Sequence, residues 1–296
     1  MLGRILKDKI NKTWMLICII IIIIIPLLLI AGLCYKSSFI LEKHSLTELL
    51  FTKEWSPWNN KFGFLTFIIS SMWVTAFAIL ISAPLCLLSA IYLTQYSKVI
   101  YLKIIQPIID ILAGIPSVVY GVWGILIVVP FVSEYIAPVF NADTTGYSIL
   151  SGSIVLSIMI IPYILNILIE IFKTIPDELM EASLSLGATK WEAIKTVLLR
   201  KTFSGIISSF VLGLSRAFGE TIAVLMVVGN MIHIPHSVFD AGYPLPALIA
   251  NNYGEMLSIP MYDSALMFSA LILLFIVLLF NLFSRLVIGR YEKKRF

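Results

Sequence analysis

The stretch Trp14-Met15-Leu16-Ile17-Cys18-Ile19-Ile20-Ile21-Ile22-Ile23-Ile24-Ile25-Pro26-Leu27-Leu28-Leu29-Ile30-Ala31-Gly32-Leu33-Cys34 contains no charged residue. It is as long as the roughly 20 apolar residues that a helix needs to cross a bilayer. Seven consecutive isoleucines would suggest a strand in water, because β-branched side chains favour extended backbone. Flanked on both sides by further apolar residues, the run reads instead as a helix facing lipid. Ala31-Gly32-Leu33-Cys34 has the outline of a lipoprotein cleavage box. Leu33 is too bulky for the position before the cysteine, so the segment is expected to remain as an uncleaved anchor.

The rest of the chain repeats this character. Of 296 residues, 59% are hydrophobic and 13% charged, and the mean hydropathy is +0.99. Soluble domains carry about 25% charged residues, and a chain this apolar must leave surface for lipid to cover. Five more stretches are long enough to span: 64–93, 104–132, 148–172, 203–229 and 264–288. The expected fold class is therefore all-α, a polytopic membrane protein with about six transmembrane helices. Pro84, Pro107 and Pro116 are expected to kink or break the second and third helices, with neighbours satisfying the freed carbonyls. Cys18, Cys34 and Cys86 lie in or beside apolar runs and suggest no disulfide framework.

Charge sets an expected orientation. Sixteen of the 21 basic residues fall at the two ends, beside 98–103 and in 173–201, while Lys36, Lys43, Lys53 and Lys61 lie on the other side and Arg216 lies within a span. By the positive-inside rule both termini are cytoplasmic. The net charge of +4, dispersed in this way, gives no footprint for nucleic acid. Residues 35–63 carry Trp55, Pro57 and Trp58, as an outer interface would, and 230–263 is long enough to fold back on the outer face. The expected organisation is an N-terminal tail, anchor helix and outer loop over 1–63, a transmembrane domain over 64–288 and a basic tail over 289–296.

Between the fourth and fifth spans lies Pro176-Asp177-Glu178-Leu179-Met180-Glu181-Ala182-Ser183-Leu184-Ser185-Leu186-Gly187-Ala188-Thr189-Lys190-Trp191-Glu192. Pro176 suits a first helical position, and Asp177, Glu178 and Glu181 suit the positive end of a helix dipole. Gly187 can adopt the left-handed conformation that stops a helix. A second short helix is expected around 190–199. Two such helices make a compact knob for another protein to grip.

Two membrane segments carry polar features. In Leu112-Ala113-Gly114-Ile115-Pro116-Ser117-Val118-Val119-Tyr120-Gly121, Gly114 and Pro116 should open the third helix, either as a packing kink or for function. In Gly213-Leu214-Ser215-Arg216-Ala217-Phe218-Gly219-Glu220-Thr221-Ile222-Ala223-Val224-Leu225-Met226-Val227-Val228-Gly229-Asn230, Arg216 falls near mid-membrane. Arginine there costs at least about 2.5 kcal/mol on insertion scales. Glu220 is expected one turn on, along the same face. The pair reads either as self-neutralising or as an anion site with its counter-ion.

Glu181-Ala182-Ser183-x-x-x-Gly187 resembles the EAA–G motif of ABC importer permeases, and its place between the fourth and fifth of six spans matches. With the two membrane segments, the chain resembles the phosphate-specific permeases of the PstC type over residues 64–288. The resemblance implies the type I importer permease fold, with Glu181, Ala182 and Gly187 coupling to the ATP-binding subunit and Arg216, Glu220, Thr221 and Ser117 along the substrate pathway. It implies phosphate import with an A-type permease, a dimer of ATP-binding subunits and an extracytoplasmic phosphate-binding protein. ATP and Mg would sit on those partners and no cofactor on this chain. In that family the motif usually ends in Leu-Pro. Here Leu199 is followed by Arg200, so the second loop helix is expected to run more continuously into the fifth span.

The chain has no G-x-x-x-x-G-K-[ST], H-E-x-x-H, C-x-x-C or G-x-S-x-G. No catalytic or metal residue is assigned, and His233 and His236 read as a surface pair. The alternatives are a permease for another oxyanion or small solute, or a membrane-embedded enzyme. The latter would have only Asp110, Arg216 and Glu220 at membrane depth to work with.

Overall fold

The computed structural model describes residues 2–254 and 259–293. The end of the expected basic tail, residues 294–296, lies outside the described residues, as do the side chains of Arg4, Lys9, Arg290 and Lys293. Among the described residues the regular structure is helical, apart from a two-stranded hairpin pairing Trp55–Ser56 with Lys61–Phe62 and a single bridge between Gly229 and Gly242. Six helical segments among the described residues are long and apolar enough to cross a membrane: Asn11–Lys43, Leu65–Tyr96, Ser117–Val139, Ile149–Lys173, Lys190–Phe218 and Pro260–Phe283. The chain is an all-α, multi-pass membrane protein. Below, "loop end" denotes the side bearing residues 174–189 and "hairpin end" the side bearing residues 55–62.

Two expected spans are placed differently. The third does not run over 104–132. A separate helix, Val99–Gly114, stops at Ile115 and Pro116, whose backbone is extended, and the spanning helix starts at Ser117. The residue before a proline is biased away from helical backbone, and Pro116 provides no N–H to carry the ladder on. The fifth span begins at Lys190 rather than 203, ends at Phe218, and resumes as Ile222–Val227 after the break Gly219-Glu220-Thr221. Pro84 and Pro107, by contrast, lie inside unbroken helices. Later in the third span, Pro130 and Pro138 each follow a wide turn closed by an i→i+5 bond, over Gly124–Val128 and Val132–Ile136. A wider turn draws the preceding carbonyls away from the proline ring and so relieves its clash.

The second, fourth and fifth spans form the main core, through residues such as Val74, Ala78, Leu156, Ile160, Ile164, Leu198 and Ile206. Lipid gives helices no hydrophobic reason to associate, so close packing at small residues must hold them. Gly213 illustrates this: a Cβ there would meet Ile164 Cδ1 at 2.5 Å. Several buried hydroxyls bond within their own helices, as when Ser71 donates to the Phe67 carbonyl at 2.9 Å and Thr202 to the Leu198 carbonyl at 2.8 Å.

A second core closes the hairpin end. Trp55 stands edge-on to Phe62, Phe64, Phe67 and Tyr262 at 5.1–5.8 Å between ring centroids. Residues 230–252 do fold back: the helix Leu245–Asn252 is buried at its start, and the Leu245 N–H donates to Ser71 Oγ at 2.8 Å. The first span joins the bundle only near this end. Ile40 is fully buried, and Ser264 inserts into the helix ladder there, accepting from the Ile40 N–H (3.0 Å) and donating to the Lys36 carbonyl (2.9 Å). The most apolar part of that span, including all seven isoleucines, is exposed, in keeping with the lipid-facing reading.

Candidate functional site: the loop helices and the charged wall

The loop is built from local rules. The helix Asp177–Ser185 starts one residue later than expected, because Pro176 has extended backbone and acts as the cap. Asp177 and Glu178 occupy the first turn, where the unpaired N–H groups favour negative charge. At the other end Gly187 adopts φ +89°. Its N–H donates to the Leu184 carbonyl at 3.0 Å, and the Ala188 N–H donates to the Ser183 carbonyl at 3.3 Å. These are the two bonds of a Schellman stop, which needs the left-handed residue between them. Two residues on, Thr189 opens the next helix: its N–H and hydroxyl donate to Glu192 Oε2 (2.7 and 2.8 Å), and the Glu192 N–H donates back to Thr189 Oγ1 (3.3 Å). The second loop helix then runs without interruption into the fifth span, widening once over Ile194–Leu198. That is the continuity expected from Arg200.

Glu181, Ala182 and Gly187 are all exposed on this knob. Met180 is buried and fixes it to the main core, and Lys190 Nζ lies 4.9 Å from the Tyr96 ring centroid at the end of the second span. Leu186 is 90% exposed and Trp191 and Leu184 are exposed beside it. An apolar tip on an otherwise polar loop is contact surface in waiting. Sequence reading did not single out these three residues, although apolar side chains in a charged loop were visible, as was the Thr189-x-x-Glu192 capping box.

The expected pathway residues gather less tightly. Arg216 sits in the last turn of Leu199–Phe218, exposed, with its guanidinium carbon 4.9 Å from the Tyr163 ring centroid. Tyr163 is ten residues before Lys173, about 15 Å along the fourth span from the loop end. Arg216 therefore does lie near the middle of the bundle. Glu220 does not share its helical face. The helix has ended at Phe218, and Glu220 is turned into a narrow cleft with Ser71, Thr75, Val224 and Pro244. Among the described residues no ion pair joins Arg216 to Glu220. A pair spaced i, i+4 meets only on a continuous helix, and the break at Gly219 removes that condition. Thr221 caps the short helix that follows and donates to the Gly219 carbonyl at 3.3 Å. Ser117, half-buried, starts the third span just past the Ile115–Pro116 break. Tyr120 spans that break by donating to the Leu112 carbonyl at 2.9 Å. His233 and His236 stay apart from this wall. The backbone N–H groups of His236 and Ser237 donate to Asp240 Oδ2 at 2.8 and 2.9 Å.

Comparison with known proteins gives this arrangement a family. The inward-facing MetNI methionine ABC transporter contains a chain that superposes with a TM-score of 0.52 at 19% identity, covering 75% of this chain and 91% of that one. The "Phosphate transport system permease protein PstC" of Xylella fastidiosa is 35% identical over 261 residues, 83% of this chain and 80% of its own. The "Probable phosphate transport system permease protein PstC" of Methanocaldococcus jannaschii is 32% identical over 292 residues, 93% and 90%. The "Probable ABC transporter permease protein YqgH" of Bacillus subtilis is 39% identical over 255 residues, 86% and 81%. Residues 83–296 match the family described as "Binding-protein-dependent transport system inner membrane component", and that match takes in the loop, the wall and four of the six spans. With its capped knob between the fourth and fifth spans and the fold of an ABC importer permease, the chain belongs to the family of binding-protein-dependent transport system inner membrane components.

Proposed function

We propose that this chain is the C-type permease of an ATP-driven phosphate importer, lining the route of inorganic phosphate together with an A-type permease. ATP hydrolysis belongs to two separate ATP-binding subunits, which hold ATP and Mg and grip the knob of Glu181, Ala182 and Gly187. An extracytoplasmic phosphate-binding protein delivers substrate at the hairpin end. The loop end and both termini are cytoplasmic, as the basic residues direct. Relatives named as phosphate transport permeases support the choice of substrate.

The observation that carries the reading is Arg216, an exposed cation at the middle of the bundle whose ring partner, Tyr163, leaves its charge uncompensated. Such a charge is tolerated where it faces a water-filled cavity or meets a counter-charge. A phosphate anion crossing a low-dielectric region supplies that counter-charge. Because the Tyr163 ring contact is weak, the anion is attracted without being trapped, and a switch between outward-open and inward-open states can release it. Arg216→Gln tests this: phosphate uptake should be lost while the ATP-binding subunit still co-purifies. Normal uptake would end the anion-site reading, and loss of the complex would make Arg216 a structural residue.

A further inference from the structure

Asp110 is an exposed carboxylate on the apolar helix Val99–Gly114, and among the described residues no cation pairs with it. Its partner is an amide. Asn166 Nδ2, on the fourth span, donates to Asp110 Oδ1 at 2.9 Å, and Gln106 Nε2 donates to Asn166 Oδ1 at 3.0 Å. Both donations run toward Asp110, so the relay ends on an acceptor. An amide orients a carboxylate without neutralising it. A charge left exposed at membrane depth needs water or a passing ligand.

Its location matches that need. Tyr163, Asn166 and Glu170 are spaced i, i+3, i+7 and share one face of the fourth span. Arg216 rests on Tyr163. Asp110 is held at Asn166, about 4.5 Å further along the axis toward the loop end. The wall therefore presents a cation and then a carboxylate with one oxygen occupied by Asn166. A bare carboxylate repels a fully ionised oxyanion such as sulfate. Hydrogen phosphate keeps an acidic O–H at neutral pH and can donate it to the other oxygen as a charge-assisted bond. Selectivity follows from rejecting the ligand that would leave like charges unpaired.

We propose that Asp110, oriented by Asn166 and Gln106, is a specificity-determining residue of the pathway, accepting a hydrogen bond from a protonated tetrahedral oxyanion on the loop side of Arg216. This rests on the anion-pathway reading above.

The test is 31P line-broadening of inorganic phosphate by the purified, nucleotide-free complex without its binding protein, with sulfate as competitor. Wild type should broaden the line, with sulfate competing at least about tenfold more weakly than unlabelled phosphate. Asp110→Asn should let sulfate compete about equally, and Asp110→Glu should restore the preference. Co-purification of the ATP-binding subunit checks that each variant assembles. The proposal is overturned if Asp110→Asn assembles and keeps the wild-type preference while Arg216→Gln loses broadening, which leaves the pathway reading standing. If wild type does not broaden the line, or Arg216→Gln broadens it unchanged, the pathway reading falls and takes the proposal with it.

Discussion

At Gly187 a helix stops because two of its carbonyls are captured by the following N–H groups, and a new helix opens at once on a reciprocal Thr189–Glu192 cap. At Gly219 a helix also stops, but the chain resumes three residues later across a gap holding Glu220 and Thr221. In the loop, short-range hydrogen bonds satisfy the backbone and Leu184, Leu186 and Trp191 stay exposed. In the wall, regular structure is interrupted twice, at Ile115–Pro116 and at 219–221, and the polar residues stand beside the interruptions. Inside a bilayer a broken helix survives only where protein or a water-lined cavity satisfies it. On the proposed reading, the loop transmits position and the wall meets a charged solute.

The sharpest way to break that contrast is at Arg216. Arg216→Lys keeps the charge but loses the guanidinium's contact with the Tyr163 ring, and lysine and arginine are not interchangeable against an aromatic face. Uptake should fall about tenfold or more, between wild type and Arg216→Gln. If lysine transports like arginine, charge alone suffices and the ring contact is incidental.

Gly187→Val should have the next largest effect. A side chain there meets nothing within 4 Å, so crowding plays no part, but φ +89° costs a β-branched residue about 1–2 kcal/mol. Uptake should drop about fivefold while ATP hydrolysis by the assembled complex continues, and Gly187→Asn, which tolerates left-handed backbone, should restore most of it. Equal loss in both variants would show that the position needs the absence of a side chain rather than the angle.

Removing the cap is gentler. Thr189→Ala should destabilise the start of the second loop helix by about 1 kcal/mol and lower uptake about twofold. Faster amide exchange over residues 190–193 would place the effect there. An unchanged exchange rate would mean that the continuous fifth span holds the helix by itself.

The smallest effect is expected at the hairpin. The hydrogen bond and charge of Lys61 hold Glu54 below the ordinary carboxylate range, and Glu54 raises Lys61 in turn. The Glu54 contribution is present above its unfolded value and lost as pH falls through the folded one. The Lys61 contribution is lost only as pH rises through its folded value. Between about pH 6 and 8 the pair stays charged on both sides, and because it is fully exposed, salt screens it. Lys61→Ala should leave uptake within about 1.5-fold across that range; a pH-dependent loss would make this hairpin part of a delivery surface.

Much of the chain was legible without coordinates. Lipid admits only structures that satisfy their own backbone, so a long uncharged run such as 14–34 reads as a spanning helix, and six long, mostly apolar runs give the fold class. The loop was nearly as plain, because a glycine stop and an acidic first turn act between residues a few positions apart. The charged wall was not. Spacing places Glu220 on the face of Arg216, yet the helix ends between them and turns Glu220 toward Ser71 and Pro244. Nothing local to Asp110 names Asn166, 56 residues away. The sequence by itself determined what belongs in lipid, where the loop helices end and that an arginine lies deep in the bundle, since each follows from solvation or from bonds within a turn. Only the tertiary structure decided where the third and fifth helices divide and which distant side chains Arg216 and Asp110 meet, because those depend on how neighbouring helices satisfy a backbone that their own sequence leaves open.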